Sequence, residues 1–488
     1  MKQTSAKKGV FQKALATVLA ATVAASAFSL VACGEGKKEE EFEMTYELAC
    51  KLNHEKFGVV EEDSANPGGD RYYGFKYLED GYIRMADPEN VQSDDPVNFY
   101  NIVKNFTITK PDLDEYGNEL NTSREYNILG MFQVPLWFRP EWIDEPEGRS
   151  FPLAIECHGF NTTSGGFRSA KWANTWTEKG YICYAFDFVG GAPNPNWNGG
   201  TLSGPKVLNA ERGDKGELVD RQGNPTTRPD TIPADFPEDK LWDFYGGGWM
   251  EMSVATEVQD LHGVIDEVKK LDVVDEDHIS IMGQSQGGVV CAVTAAERAA
   301  KAEEEGEECD IEGMVLIYPA LSFITDMHYF FGQNLQKFGM EAPDTLDATT
   351  YPMLEQTLTN GRTFIMGANV GPRYISQCYN WGIKAQQDSG VIRAGEFTMF
   401  HRIAAYKNPV LIVTGSTDQT VDTKWSFATI YGNNSPYGTT QSTLALVSNC
   451  DHAFDMGAGA APLKQRKMAY EALGSYLDLN GFTKPLQK

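Results

Sequence analysis

The chain of 488 residues is longer than one compact core usually holds, so one large domain with additions is expected rather than several equal domains. Its 41% hydrophobic and 23% charged residues, with 9 Trp, 26 Phe and 21 Tyr, form a globular composition and exclude a disordered chain. A formal net charge of −26 repels phosphate backbones and anionic lipid, which argues against nucleic-acid binding and for a solvent-facing enzyme.

At the N-terminus, Lys2, Lys7, Lys8 and Lys13 precede an apolar, small-residue run from Ala14 to Ala32, and no acid occurs in residues 1–33. This is the pattern of an export signal, and its removal makes the remaining chain more acidic still. The run meets Leu30-Val31-Ala32-Cys33, which resembles the bacterial lipobox. That resemblance implies cleavage before Cys33, lipidation of its thiol, and an extracytoplasmic protein held to the bacterial cell membrane by a lipid anchor alone. Residues 34–43, opening with Gly34-Glu35-Gly36-Lys37-Lys38-Glu39-Glu40-Glu41, then read as a charged tether. An uncleaved membrane helix and a plain secretory signal with an accidental Cys are the alternatives. The other cysteines, Cys50, Cys157, Cys183, Cys291, Cys309, Cys378 and Cys450, show no CxxC pairing and no metal-ligand spacing. Several lie in apolar runs such as Tyr181 to Phe186, so buried thiols are expected rather than a disulfide framework.

Residues 44–125 read as an N-terminal extension punctuated by turn formers, with no chemistry of its own. From about Tyr126 to residue 480, short apolar runs alternate with amphipathic segments, as in a mostly parallel sheet with crossover helices. The expected strands are Tyr126 to Trp137, Phe151 to Glu156, Tyr181 to Phe188, His278 to Met282, Gly313 to Tyr318, Val410 to Thr414 and Thr443 to Val447. Helices are expected from Met252 to Lys270, with Val254, Val258, Leu261, Ile265 and Val268 on one face, from Val289 to Ala300, and from Leu463 to Leu477. Two insertions interrupt the series: a polar excursion over about 204–243, and an aromatic-rich stretch over about 321–406 that reads as a cap.

Ile279 to Gly288 has the texture of a strand, then Gly283-Gln284-Ser285-Gln286-Gly287, then a helix. In that setting G-x-S-x-G is a nucleophile elbow: Gly283 and Gly287 let strand and helix close on a tight turn that presents Ser285 Oγ. A hydroxyl needs a His to take its proton and a carboxylate to fix that imidazole, in the chain order Ser, acid, His. Asp418 follows the strand ending at Thr414, and His452 follows the one ending at Val447. Asp422, Asp451 and Asp455 are rival acids, and Asp418 by itself would be read as a turn or cap residue. The oxyanion needs two backbone N–H donors. Gln286 supplies one, and Glu156-Cys157-His158-Gly159-Phe160 lies where the other is expected, pointing to the Phe160 N–H and leaving His158 structural. The remaining histidines, His54, His262, His278, His328 and His401, form no metal cluster in the sequence.

From Leu153 to about Leu477 the chain resembles bacterial α/β-hydrolases of the cinnamoyl or feruloyl esterase type and their serine aminopeptidase-like relatives. The resemblance is carried by His158-Gly159-Phe160, Tyr184 to Phe188 with Gly190-Gly191, Met252 to Glu257, the serine motif, Leu316 to Ala320, Gly415 to Asp418 and His452 to Asp455. It implies an α/β-hydrolase fold, with a mostly parallel central sheet flanked by helices, a cap insertion and an N-terminal extension. It also implies a Ser285–Asp418–His452 triad, Phe160 and Gln286 as oxyanion donors, no cofactor, and a small-molecule ester, plant-derived aromatic esters included, as substrate. Carboxylic-ester hydrolysis is therefore the expected activity; a serine peptidase on the same fold, or a non-catalytic surface-binding lipoprotein, are the alternatives.

Overall fold

The computed structural model describes residues 42–58, 79–85, 97–114, 119–160, 172–189, 204–205, 252–321, 363–365, 368–370, 406–418, 420–421, 423–433, 442–455 and 463–482. The expected export signal with Cys33, most of the tether, and most of both insertions lie outside these residues.

A nine-stranded sheet runs through the molecule. Its strands are β1 (Ile83–Arg84), β2 (Phe99–Val103), β5 (Gly130–Pro135), β6 (Phe151–Cys157), β7 (Ile182–Phe186), β9 (Val274–Gln284), β10 (Gly313–Ile317), β13 (Val410–Gly415) and β14 (Ser442–Val447). A smaller sheet holds β3 (Phe106–Leu113), β4 (Glu119–Ile128) and β8 (Gly204–Pro205), and β11 (Thr363–Ile365) pairs with β12 (Ala368–Val370). The helices are α1 (Tyr46–Phe57), α2 (Trp172–Glu178), α3 (Val254–Val268), α4 (Gln286–Glu305), α5 (Lys424–Asn433) and α6 (Leu463–Leu479).

The spatial order in the large sheet is β1-β2-β5-β7-β6-β9-β10-β13-β14. From β7 to β14 every pairing is parallel. β5 runs against both of its neighbours, and β1 runs against β2 at the edge. Parallel strands require covered faces, and β6, β10 and β13 are buried along their whole length. One face packs Ala154, Cys183, Met282, Val315 and Leu411 against Trp172 and Trp176 of α2 and Leu473, Tyr476 and Leu477 of α6. By strand alternation Leu153, Ile155, Ile281 and Leu316 turn to the opposite face, where α3 and α4 bury Val258, Leu261, Ile265, Val289 and Val293. Each such Leu or Ile contributes about 1.5–3 kcal/mol relative to exposure.

The apolar run from Tyr126 to Trp137, expected as one strand, is two. β4 ends at Ile128 in the small sheet and β5 begins at Gly130 in the large one, with Leu129 crossing between them and accepting a 2.9 Å bond from the Asp187 N–H. Both segments belong to one apolar run with Gly130 inside it, so the run does not mark the switch between sheets. β1 and β2 come from the stretch read as an N-terminal extension, and Glu43–Lys488 forms one unit. That stretch supplies an edge of the central sheet.

On the α2 side of β6, Glu156 is fully buried and neither carboxyl oxygen has a hydrogen-bond partner. Burial raises its pKa well above the ordinary 4.5, which favours the neutral acid in the folded chain. A raised folded pKa gives stability that is complete below the unfolded value and is lost as pH rises toward the folded one. Glu156→Gln should therefore match the wild type in melting temperature at pH 4 and exceed it at pH 8. Parallel melting curves for the two proteins would refute this.

Candidate active site

Ser285 sits between β9 and α4 with φ 49° and ψ −114°, a conformation that costs a residue with a side chain about 1–3 kcal/mol. Three backbone bonds hold it there. The Ser285 N–H donates to Ile317 O at 2.9 Å, and the Ser285 carbonyl accepts from Ala320 at 2.9 Å and Gly288 at 3.0 Å. A Cβ at Gly283 would lie 2.6 Å from the Gly288 nitrogen, and one at Gly287 would lie 2.5 Å from the His158 carbonyl. Glycine at both positions thus lets β9, α4 and the end of β6 converge on the serine.

β13 and β14 pair in parallel up to Gly415 and Val447, so the loops that follow leave from one end of the sheet. Those loops are tied together. Ser416 N–H donates to Val447 O at 2.9 Å, Thr417 donates to Cys450 O from its N–H at 3.0 Å and from Oγ1 at 2.8 Å, and Asn449 N–H donates to Ser416 Oγ at 2.9 Å. The carbonyl of Cys450 lies where a side chain at Gly415 would stand, 2.5 Å from its Cβ position.

In this clamp Asp418 Oδ1 accepts from the Thr420 and Val421 N–H groups, both at 2.9 Å, and Oδ2 faces His452 Nδ1 at 2.8 Å. A carboxylate only accepts, so Nδ1 carries the proton. Nε2 is left as an acceptor for the Ser285 hydroxyl, 3.1 Å away. The three residues singled out in the sequence are therefore in one hydrogen-bonded line. Among the rival acids, Asp451 accepts from the His452 backbone N–H at 2.8 Å; Asp422 and the side chain of Asp455 lie outside the described residues. The ring of Tyr318 meets the His452 imidazole edge to face, with centroids 4.7 Å apart, and its hydroxyl donates to Gln284 Oε1 at 2.8 Å. Tyr318 thus backs the imidazole, a role the sequence does not mark.

Gln286 opens α4 directly after the serine, and Phe160 follows β6 by three residues. Contact of Gly287 with the Cys157 and His158 carbonyls brings these two segments side by side. His158 is buried. Its Nε2 accepts from the Phe188 N–H at 3.1 Å, so Nδ1 is protonated and donates to Gly159 O at 2.9 Å. Burial lowers its pKa, which suits the neutral ring that this pairing needs. With both nitrogens engaged by backbone, His158 shapes the loop that carries Phe160.

Behind these segments lie charges that sequence reading missed. Glu257 of α3 accepts from Gln286 Nε2 at 2.6 Å, and burial pushes its carboxyl up to about 8. One turn further on, Asp260 accepts from the Val189 N–H at 2.9 Å and pairs with Lys110 of β3. The only signal was their spacing beside the apolar stripe of α3, where acids usually face water.

Among the described residues no group of three or more His, Cys, Asp or Glu could hold a metal. His262 pairs with Glu297 and the half-buried His278 with Glu312; His328 and His401 lie outside the described residues. Among the described residues, Cys50, Cys157, Cys183, Cys291, Cys309 and Cys450 are not in disulfides.

No protein-family model matches the chain, and no curated protein is similar to it in sequence. Among solved structures it is similar to Est1E from Butyrivibrio proteoclasticus with ferulic acid bound, at 17% identity and TM-score 0.41 over 73% of this chain and 96% of that one. Acetyl xylan esterase 1 from Thermoanaerobacterium sp. JW/SL YS485 is 13% identical, with TM-score 0.38 over 89% of this chain and 99% of that one. The monoacylglycerol lipase of Paleococcus ferrophilus is 14% identical, with TM-score 0.36 over 68% of this chain and 97% of that one. These likenesses are distant, and the fold rests on the sheet itself. With its strand order, its one reversed inner strand and its strand–serine–helix turn, the chain has the α/β-hydrolase fold.

Proposed function

We propose that the protein is a serine hydrolase of carboxylic esters, and the observation that carries this reading is the hydrogen-bonded line from Ser285 through His452 to Asp418. Ser285 Oγ attacks the ester carbonyl as His452 Nε2 takes its proton, and Asp418 balances the imidazolium that forms. The oxyanion accepts from the Phe160 and Gln286 N–H groups; one such donor contributes about 2.7–4 kcal/mol to the transition state. His452 then hands its proton to the departing alkoxide, leaving an acyl group on Ser285. It next takes a proton from water as that water attacks the acyl carbon, then returns the proton to Ser285 Oγ as the acyl–Oγ bond breaks and the acid leaves. These steps use only the chain's own residues and water.

A panel of p-nitrophenyl esters, methyl ferulate and aminoacyl p-nitroanilides tests the reaction class. Turnover of esters is expected; cleavage of nitroanilides alone would make the protein a peptidase, and turnover of nothing in the panel would favour a surface-binding lipoprotein.

We further propose that the reaction takes place outside the cytoplasm, on a protein anchored through lipid on Cys33. The support is the basic start, the apolar run and Leu30-Val31-Ala32-Cys33. In cells fed an alkynyl palmitate, label is expected on the wild type and absent from Cys33→Ala. Equal label on both would remove the anchor.

A further inference from the structure

The hydrolytic steps leave Glu257, Asp260 and Lys110 unused, although all three are buried. Glu257 and Asp260 stand three residues apart on α3, whose N-terminus is fixed by a capping box in which Ser253 Oγ and Thr256 Oγ1 each accept the other's N–H. Through Gln286 Nε2, Glu257 grips the first residue of α4. Asp260 grips the chain after β7 at the Val189 N–H, and the preceding Phe188 N–H holds His158, whose ring in turn holds Gly159 O beside Phe160. Two separate loops that carry N–H donors are thus leashed to one rigid helix. Lys110 comes from the small sheet, lies over the Tyr126 ring at 4.4 Å and supplies the charge opposite Asp260.

We propose that Glu257 and Asp260, with Lys110 as counter-charge, are positioning residues that set the separation between the Phe160 and Gln286 N–H groups. The inference rests on the serine-hydrolase reading and gives the small N-terminal sheet a part in it. Two donors stabilise an oxyanion only when both lie about 2.7–3.1 Å from it. A leash to a common helix is a direct way to keep that spacing while the substrate's carbonyl becomes tetrahedral.

The test uses the full chain, with p-nitrophenyl acetate as substrate and a trifluoromethyl ketone, which forms a tetrahedral adduct on a serine, as inhibitor. Glu257→Leu should lower kcat about 10- to 100-fold with KM within about threefold, the scale of a small misplacement at a reacting centre. Its affinity for the ketone should fall by the same factor, since such an adduct mimics the transition state. Glu257→Gln keeps an acceptor for Gln286 Nε2 and should restore both to within about threefold. The pair Asp260→Leu with Lys110→Met removes the second leash without stranding a charge, so it should fold and show the same joint loss. Folded variants of both kinds with wild-type kcat and ketone affinity would overturn the inference, as would equal losses in Glu257→Gln and Glu257→Leu. Failure of the underlying reading shows separately, in a wild type without Ser285-dependent turnover, and removes the inference with it.

Discussion

Ser285→Ala is expected to lower kcat for p-nitrophenyl acetate by roughly a millionfold, the scale reached when the nucleophile of a Ser–His–Asp site is removed. The serine is the only atom donor in the proposed covalent step, and with it gone His452 and Asp418 have nothing to activate. Its fold should be intact, because the elbow is held by backbone bonds to Ile317, Gly288 and Ala320 rather than by the hydroxyl. Stability offers an independent check on the same residue. Ala keeps a Cβ at φ 49°, so its melting temperature should equal that of the wild type; Ser285→Gly relieves that strain and should melt higher, by up to about 1–3 kcal/mol of stability. A residual rate near wild type in Ser285→Ala would place the chemistry elsewhere.

Asp418→Asn carries the second largest expected effect, a loss of roughly ten-thousandfold in kcat. The amide can still accept from Thr420 and Val421, so the turn survives. What changes is the group facing His452 Nδ1. An amide NH2 there donates, the imidazole turns to its other tautomer, and Nε2 then bears the proton and no longer accepts from Ser285. Asp451→Asn is the matched comparison, since Asp451 accepts from the backbone N–H of His452 and an amide oxygen accepts equally well. Its kcat should stay within about threefold of wild type. A ten-thousandfold loss in Asp451→Asn with little change in Asp418→Asn would exchange the two acids.

The comparison of these acids shows what could be read from the chain. The nucleophile was legible because its neighbours are constrained: no side chain fits at Gly283 or Gly287, and a strand and a helix must flank the turn. The buried parallel strands were legible as short apolar runs, β10 and β13 above all. The acid was legible only as a set of candidates, because several aspartates follow β13 and β14, and it is the parallel pairing of those strands that brings Asp418 to His452. β2 was missed since a five-residue strand among turn formers has no periodic signal of its own, and α2 since seven residues span barely two turns. Glu257, Asp260 and Lys110 were missed for a different reason. Charged side chains predict exposure, and only tertiary pairing reveals that these three serve the interior.

The central claim, that Ser285 is an activated nucleophile, is tested most directly by mass spectrometry of the protein after reaction with a fluorophosphonate. The expected result is one phosphonyl adduct per chain on the peptide containing Ser285, absent from Ser285→Ala and strongly slowed in His452→Ala. An unmodified wild type, or an adduct that persists in Ser285→Ala, would contradict it.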